Sequence, residues 1–126
     1  MLTLRQEQVK AFGPLGMKSF EDKVLVHLRK VFPEKAEALG EPRLRDAIRY
    51  GTQRAKTYSI VSEHDVCKYI DLSILYGRDF DKDAALPWAA KILQNKNIRN
   101  PTTKVDRLFR EARKHNKQAA KMGGTR

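Results

Sequence analysis

The chain has 126 residues, of which 40% are hydrophobic and 33% are charged, and its formal net charge is +11. This length is enough for one domain with its own hydrophobic core. The apolar fraction is too high for a disordered chain, and no run approaches the roughly 18 apolar residues of a membrane span. The single Cys67 excludes an intrachain disulfide framework, and residues 1–10 lack the hydrophobic stretch of a secretory signal. We therefore expect one soluble, cytoplasmic, basic domain with an acidic partner, which nucleic acid, an anionic membrane or an acidic protein would each provide.

Residues 1–18 are predicted to form a short helix followed by a break. Residues 13–16 read Gly-Pro-Leu-Gly, and two glycines with a proline disfavour a continuous helix. Ser19 and Asp22 then have the spacing of a capping box, so the next helix is predicted to begin there.

Prolines and glycines also set the predicted helix ends between residues 33 and 42. Pro33 ends that helix and opens a short one that stops at Gly40, and Pro42 opens the following helix. Gly51 lies in the apolar stripe of this helix, where glycine costs about 1 kcal/mol relative to alanine. We therefore expect another helix to cross closely at Gly51.

Residues 62–77 are predicted to form the central helix. Ser62 and Asp65 have capping-box spacing, and Gly77 is placed as the C-terminal stop. The residues between them are apolar on nearly all sides, which is typical of a helix that is contacted from several directions.

A polar loop follows over residues 78–83, and Pro87 and Pro101 open the last two helices. The pattern predicts an all-α fold, a single compact domain of five to seven helices around a central Ser62–Gly77 helix. We divide the chain into an N-terminal helix with its Gly/Pro break (1–18), a helical core (19–112) and a basic, frayed tail (113–126).

Two groups of side chains have the spacing of a chemical site. Asp79, Asp81 and Asp83 match the opening of a calcium loop, but the later glycine and glutamate are missing, so Asp79 and Asp81 are expected to bind loop amides instead. His64, Cys67 and Asp71 share one helical face, as a thiol nucleophile and its base would.

Cys67 nevertheless lies in an apolar helix, where a lone cysteine is typically a small packing residue. His27 is expected to be a partly buried or edge histidine rather than a catalytic one. Because nucleotide-binding, hydrolase and metalloprotease motifs are also missing from the sequence, we expect no enzyme activity, no catalytic or metal-binding residue and no cofactor.

A series of motifs runs from about Val24 to Ala112. They are His27-Leu28-Arg29 with Phe32-Pro33, Leu44-Arg45 with Ile48-Arg49-Tyr50-Gly51, Glu63-His64-Asp65-Val66-Cys67, Tyr69-Ile70-Asp71-Leu72, Gly77-Arg78-Asp79-Phe80-Asp81 and Leu86-Pro87-Trp88-Ala89. In these motifs and their order the chain resembles a family of small helical bacterial proteins encoded in type VI secretion gene clusters, beside effector and spike genes. The resemblance implies an accessory role as an adaptor, chaperone or immunity-like partner of an effector or spike component, and it leaves open export with the secretion complex.

Three surfaces are candidates for partner binding, because arginine and tryptophan are enriched in protein interfaces and loops commonly carry recognition. They are the loop residues Arg78, Asp79 and Asp81 with Trp88, the helical pair Arg45 and Arg49, and a secondary basic tail with Arg113, Lys114, Lys117 and Lys121. For the loop the competing interpretation is structural: Arg78 bridges to Asp81, and Trp88 is buried core.

The sequence thus predicts a non-enzymatic protein-binding accessory module. The alternative is a small basic nucleic-acid-binding domain that uses the tail and one helix, whose basic residues are Arg43, Arg45, Arg49, Arg54 and Lys56. A remote alternative is an enzyme that depends on Cys67 and a histidine.

Overall fold

The computed structural model describes residues 14–115, which are helical with no strand in that range. The α-helices are α1 (Pro14–Val31), α2 (Pro33–Thr57), α3 (Glu63–Tyr76), α4 (Pro87–Leu93) and α5 (Pro101–His115), and a 3-10 helix (Phe80–Lys82) lies between α3 and α4. The predicted all-α class is confirmed. None of these helices is long and apolar enough to cross a membrane.

Helix α1 includes residues that the sequence assigned to a break. It spans Pro14–Val31, so Gly16 and Ser19 lie inside it, and the predicted start at a Ser19 cap is wrong. Proline is compatible with the first turn of a helix, and one glycine costs only about 1 kcal/mol, which burial of the later apolar face offsets. The helix predicted before residue 13 lies outside the described residues.

Helix α2 contains the predicted interruption at Gly40. This glycine has φ 80° and ψ 162°, a backbone conformation that side chains disfavour, and Pro42 follows it without an N–H to donate. Two helical segments therefore meet at Gly40, as the sequence predicted.

Helix α3 is the central element and has the predicted ends. The Ser62 hydroxyl accepts a hydrogen bond from the Asp65 N–H at 3.2 Å, and Gly77, at φ 117°, follows the last turn. The helix packs against α1, α2, α5 and the 3-10 helix. Its buried side chains include Val66, Tyr69, Ile70 and Leu72, which form the middle of the core.

The last helix begins after Asn100 and buries one face. The Asn100 side chain accepts a hydrogen bond from the Thr102 N–H at 2.9 Å where α5 begins. The buried apolar stripe of α5 consists of Val105, Leu108, Phe109 and Ala112.

Candidate functional site

The loop after α3 is fixed from inside the protein by Phe80 and Asp81. The Phe80 ring lies 5.0 Å from the ring of Tyr69, centroid to centroid. Asp81 is 0% exposed, and its carboxylate accepts hydrogen bonds from the guanidinium of Arg54 and, at 2.6 Å, from the hydroxyl of Tyr58. The expectation that Asp81 binds loop amides or faces a partner is therefore corrected: it is a buried anchor, and Arg54 is its cation.

Burial keeps the phenols around this anchor protonated. It raises the pKa of Tyr58 to about 12, with the hydrogen bond to Asp81 as the second cause. Burial likewise raises the pKa of Tyr69. Tyr58 therefore stays a hydrogen-bond donor to Asp81 at physiological pH, and the loop keeps its position.

Arg78 lies on the outside of the same loop. Its guanidinium carbon is 3.8 Å from the centroid of the Tyr50 ring, and the Tyr50 hydroxyl donates to the Asp79 carboxylate, which raises the pKa of Tyr50. No carboxylate among residues 14–115 forms an ion pair with Arg78, so the predicted bridge to Asp81 is wrong. The arrangement is an exposed arginine whose guanidinium lies over an aromatic ring.

Two open cavities meet at Arg78. One, of about 470 Å³, lies between α2 and the end of α3, and its lining includes Leu39, Arg43 and Ile74. The other, of about 360 Å³, lies over the loop, and its lining includes Asp79. Gly77 and Arg78 line both cavities, so the two cavities adjoin at these residues.

Trp88 is neither the free anchor nor the wholly buried core residue that the sequence suggested. It is partly buried, with its ring at an edge-on 5.6 Å from Tyr76 and stacked at 5.9 Å on His115. It does not line either cavity at Arg78. The structure thus separates Trp88 from the loop residues with which the sequence grouped it.

Arg45 and Arg49 are engaged within the protein. Glu21, which is 3% exposed, accepts from Arg45 at 3.2 Å and from Arg49 at 2.7 Å. Arg45 also reaches Asp22 and Glu41, and its hydrogen bond holds the pKa of Glu41 below the usual range. The acidic partner expected for this pair is in large part the chain's own helix α1, and reversing both charges would leave Glu21 buried without a cation.

The exposed basic residues of α5 begin earlier in the chain than the predicted basic tail. Arg113 and Lys114 are exposed there, Lys114 pairs with Glu111 at 3.1 Å, and Lys117 and Lys121 lie outside the described residues. The exposed face of α5 also carries Arg107 and Arg110, neither of which pairs with an acid of the described chain. Their spacing opposite the apolar stripe was a readable signal that the sequence analysis did not use.

A second cluster joins α1 to α3 and involves a different histidine from the one expected. His27 Nε2 lies 2.8 Å and 3.0 Å from the two carboxylate oxygens of Asp71, and Cys67 Sγ is close to both side chains. The hydrogen bonds to Asp71 and then to Cys67 raise the pKa of His27 to about 10, so its ring is cationic at neutral pH. His64, which the sequence placed beside Cys67, is exposed and is not part of this cluster.

The Arg78 surface, which comprises Arg78, Asp79, Tyr50 and the groove beside Leu39 and Ile74, has the composition of a recognition site. An arginine offers a planar set of donors that matches a carboxylate, and the adjoining groove adds apolar contact area. Comparisons of the chain with protein-family models, with curated proteins and with solved structures find no match.

Proposed function

We propose that the chain is a non-enzymatic, protein-binding accessory module that holds its partner at the Arg78 surface, which comprises Arg78, Asp79, Tyr50 and the groove beside Leu39 and Ile74. The observation that carries this proposal is the state of Arg78. Its guanidinium is exposed, lies against Tyr50 at the meeting point of two cavities, and has no carboxylate partner in the described part of the chain.

The surface is organised before a partner arrives. Phe80 and Asp81 hold the loop from beneath, while the Tyr50 ring and its bond to Asp79 limit the positions that Arg78 can take. A side chain that is already ordered loses less conformational entropy on binding, so more of the contact energy becomes affinity. The complementary partner surface presents a carboxylate to Arg78 and an apolar side chain to the groove.

The resemblance of residues 24–112 to type VI secretion accessory proteins supplies the partner class. The partner is then an effector or a spike component encoded in the same gene cluster, and the chain acts on it as an adaptor, chaperone or immunity-like protein in the cytoplasm. An acidic patch on that partner would match the net charge of +11.

The test is a binding experiment with the purified effector and spike proteins of that cluster. We expect Arg78→Ala to weaken binding by about 10-fold or more, chiefly through faster dissociation, because buried interface arginines often contribute most of the affinity. Arg78→Lys keeps the charge but loses the planar stacking group, and it should also bind more weakly.

Arg99→Ala is the matched control. Arg99 is exposed, has no ion pair within the described residues, and does not line either cavity at Arg78. We expect this variant to bind like the unchanged chain. Equal affinities for Arg78→Ala and Arg99→Ala, with both proteins folded by circular dichroism, would contradict the placement.

A second candidate function is nucleic-acid binding through α5. The observation that favours it is the exposed row of Arg107, Arg110 and Arg113, none of which is paired with an acid of residues 14–115. Fluorescence anisotropy with a labelled duplex between about 50 and 200 mM salt tests it, since phosphate contacts lose affinity steeply as salt rises. Replacing all three arginines by alanine should abolish such binding, whereas Arg78→Ala should leave it unchanged.

A further inference from the structure

We propose that His27, Cys67 and Asp71 form a binding site for Zn²⁺ that ties α1 to α3. Cys67 and Asp71 lie one turn apart on α3, and His27 reaches them from α1. One ring nitrogen, the sulfur and one carboxylate oxygen all lie within 4.8 Å of one another. The site is separate from the Arg78 surface and does not depend on the proposed function.

The distances fit a tetrahedral ion after a small adjustment. Bonds of about 2.3 Å to sulfur and about 2.0–2.2 Å to nitrogen and oxygen place the ligand atoms of such a site roughly 3.3–3.6 Å apart. The His27 nitrogen and the Asp71 oxygens, now 2.8 and 3.0 Å apart, must separate slightly, while the sulfur, within 4.8 Å of the other ligand atoms, moves inward by up to about 1.2–1.5 Å. Side-chain movement of that size needs no change in the helices.

The ligand types select a borderline transition metal. Zn²⁺ binds imidazole, thiolate and carboxylate, whereas Ca²⁺ and Mg²⁺ require oxygen ligands almost throughout. Thiolate and carboxylate together neutralise the dication, and the imidazole and thiol protons pass to solvent when the ion binds.

The surroundings allow the ion to enter and complete its coordination. The side chain of His27 is 37% exposed, while that of Asp71 is 8% exposed, so the site opens to solvent on the α1 side. Lys23 and Glu63 lie one turn before His27 and Cys67 and pair with each other at 3.5 Å, so these two opposite charges offset each other beside the site. A water molecule would take the fourth position, as in zinc sites that have three protein ligands.

Co²⁺ titration of the full chain, first stripped with EDTA, is the direct test. We expect one Co²⁺ per chain, with the visible spectrum of a tetrahedral ion and a thiolate-to-metal charge-transfer band, and displacement by Zn²⁺. Cys67→Ser should remove the charge-transfer band, and His27→Asn and Asp71→Asn should each weaken binding by about 10-fold or more. His64→Asn is the matched control, because His64 is an exposed histidine on α3 outside the cluster.

A second measurement covers the case in which these variants do not fold. Cys67 is the only thiol of the chain, so its rate of reaction with a thiol reagent reports the site in the unchanged protein. We expect added Zn²⁺ to slow this reaction by about 10-fold or more, because a coordinated thiolate is not free to attack. An unchanged rate, no Co²⁺ uptake, or uptake that survives in Cys67→Ser would overturn the proposal and leave His27 and Asp71 as an ion pair only.

Discussion

Asp81 shows how much one buried residue contributes to the site. It accepts hydrogen bonds from Arg54 and Tyr58 in the interior while the neighbouring Asp79 stays at the surface. A buried ion pair is costly to form, but removing one partner is more costly still because the other charge is left unpaired. The position of the loop that carries Arg78 therefore depends on a side chain that is itself fully buried.

We expect Asp81→Asn to lower the free energy of unfolding by about 3 kcal/mol or less, the lower end of the range for breaking a buried pair, since Arg54 loses its counter-charge but its side chain is 20% exposed. Urea denaturation followed by circular dichroism measures this loss. Asp79→Asn, in the same loop but exposed, is the control and should have a much smaller effect. Similar midpoints for the two variants would show that the Arg54–Asp81 pair does not hold the loop.

At the scale of the elements, α2 approaches α3 closely at Gly51. A Cβ atom added to Gly51 would lie 2.9 Å from Cγ1 of Ile70, closer than real side chains approach. The absence of a side chain at residue 51 thus allows the central helix to pack tightly. Glu21 links α1 to α2 through Arg45 and Arg49, so the α1–α2 contact includes an ionic link whose acid is buried and whose arginines are partly exposed.

Gly51→Ala should destabilise the protein, although alanine favours helix by about 1 kcal/mol over glycine. Overpacking against Ile70 costs about 1–3 kcal/mol, which outweighs that gain. A double-mutant cycle with Ile70→Ala measures the contact, because removing Cγ1 relieves the clash. Strictly additive losses in the cycle would mean that the two residues do not meet.

On the scale of the whole molecule, stability depends on groups that join distant parts of the chain. His27 in α1 donates to Asp71 in α3, and this bond is the main cause of the raised pKa of His27, about 10 against an ordinary value of 6.5. The folded protein therefore holds a proton over a pH range in which the unfolded chain has released it.

The free energy of unfolding should consequently decrease as pH rises. The contribution of His27 is fully present below about pH 6.5, the ordinary histidine value, and is lost progressively as pH approaches 10. Urea denaturation in EDTA at a series of pH values between about 6.5 and 9 measures the slope, because tyrosines of the unfolded chain begin to ionise as the pH approaches their ordinary pKa of about 10. Asp71→Asn removes the charged acceptor of His27 and should make the free energy of unfolding less dependent on pH. An identical slope in that variant would mean that other groups cause the pH dependence.

The local sequence predicted most of the helical architecture because helix ends are determined by nearby residues. Pro33, Pro87 and Pro101 begin helices and Gly77 ends one, each through the backbone conformation or hydrogen bond that the residue allows or removes. The error at Gly16 has the opposite cause. Burial of the later α1 face outweighs a weak local preference against helix.

What the sequence by itself determined is thus the all-α class, the helix ends after residue 31 and the close approach at Gly51. Only the tertiary structure decided which charges meet: Asp81 with Arg54, Glu21 with Arg45 and Arg49, and Asp71 with His27. The physical reason is that an ion pair between helices depends on their crossing geometry, which no spacing along one helix encodes. The same geometry left Arg78 on Tyr50 with its guanidinium exposed, which is why this residue, among the predicted site residues, carries the proposed function.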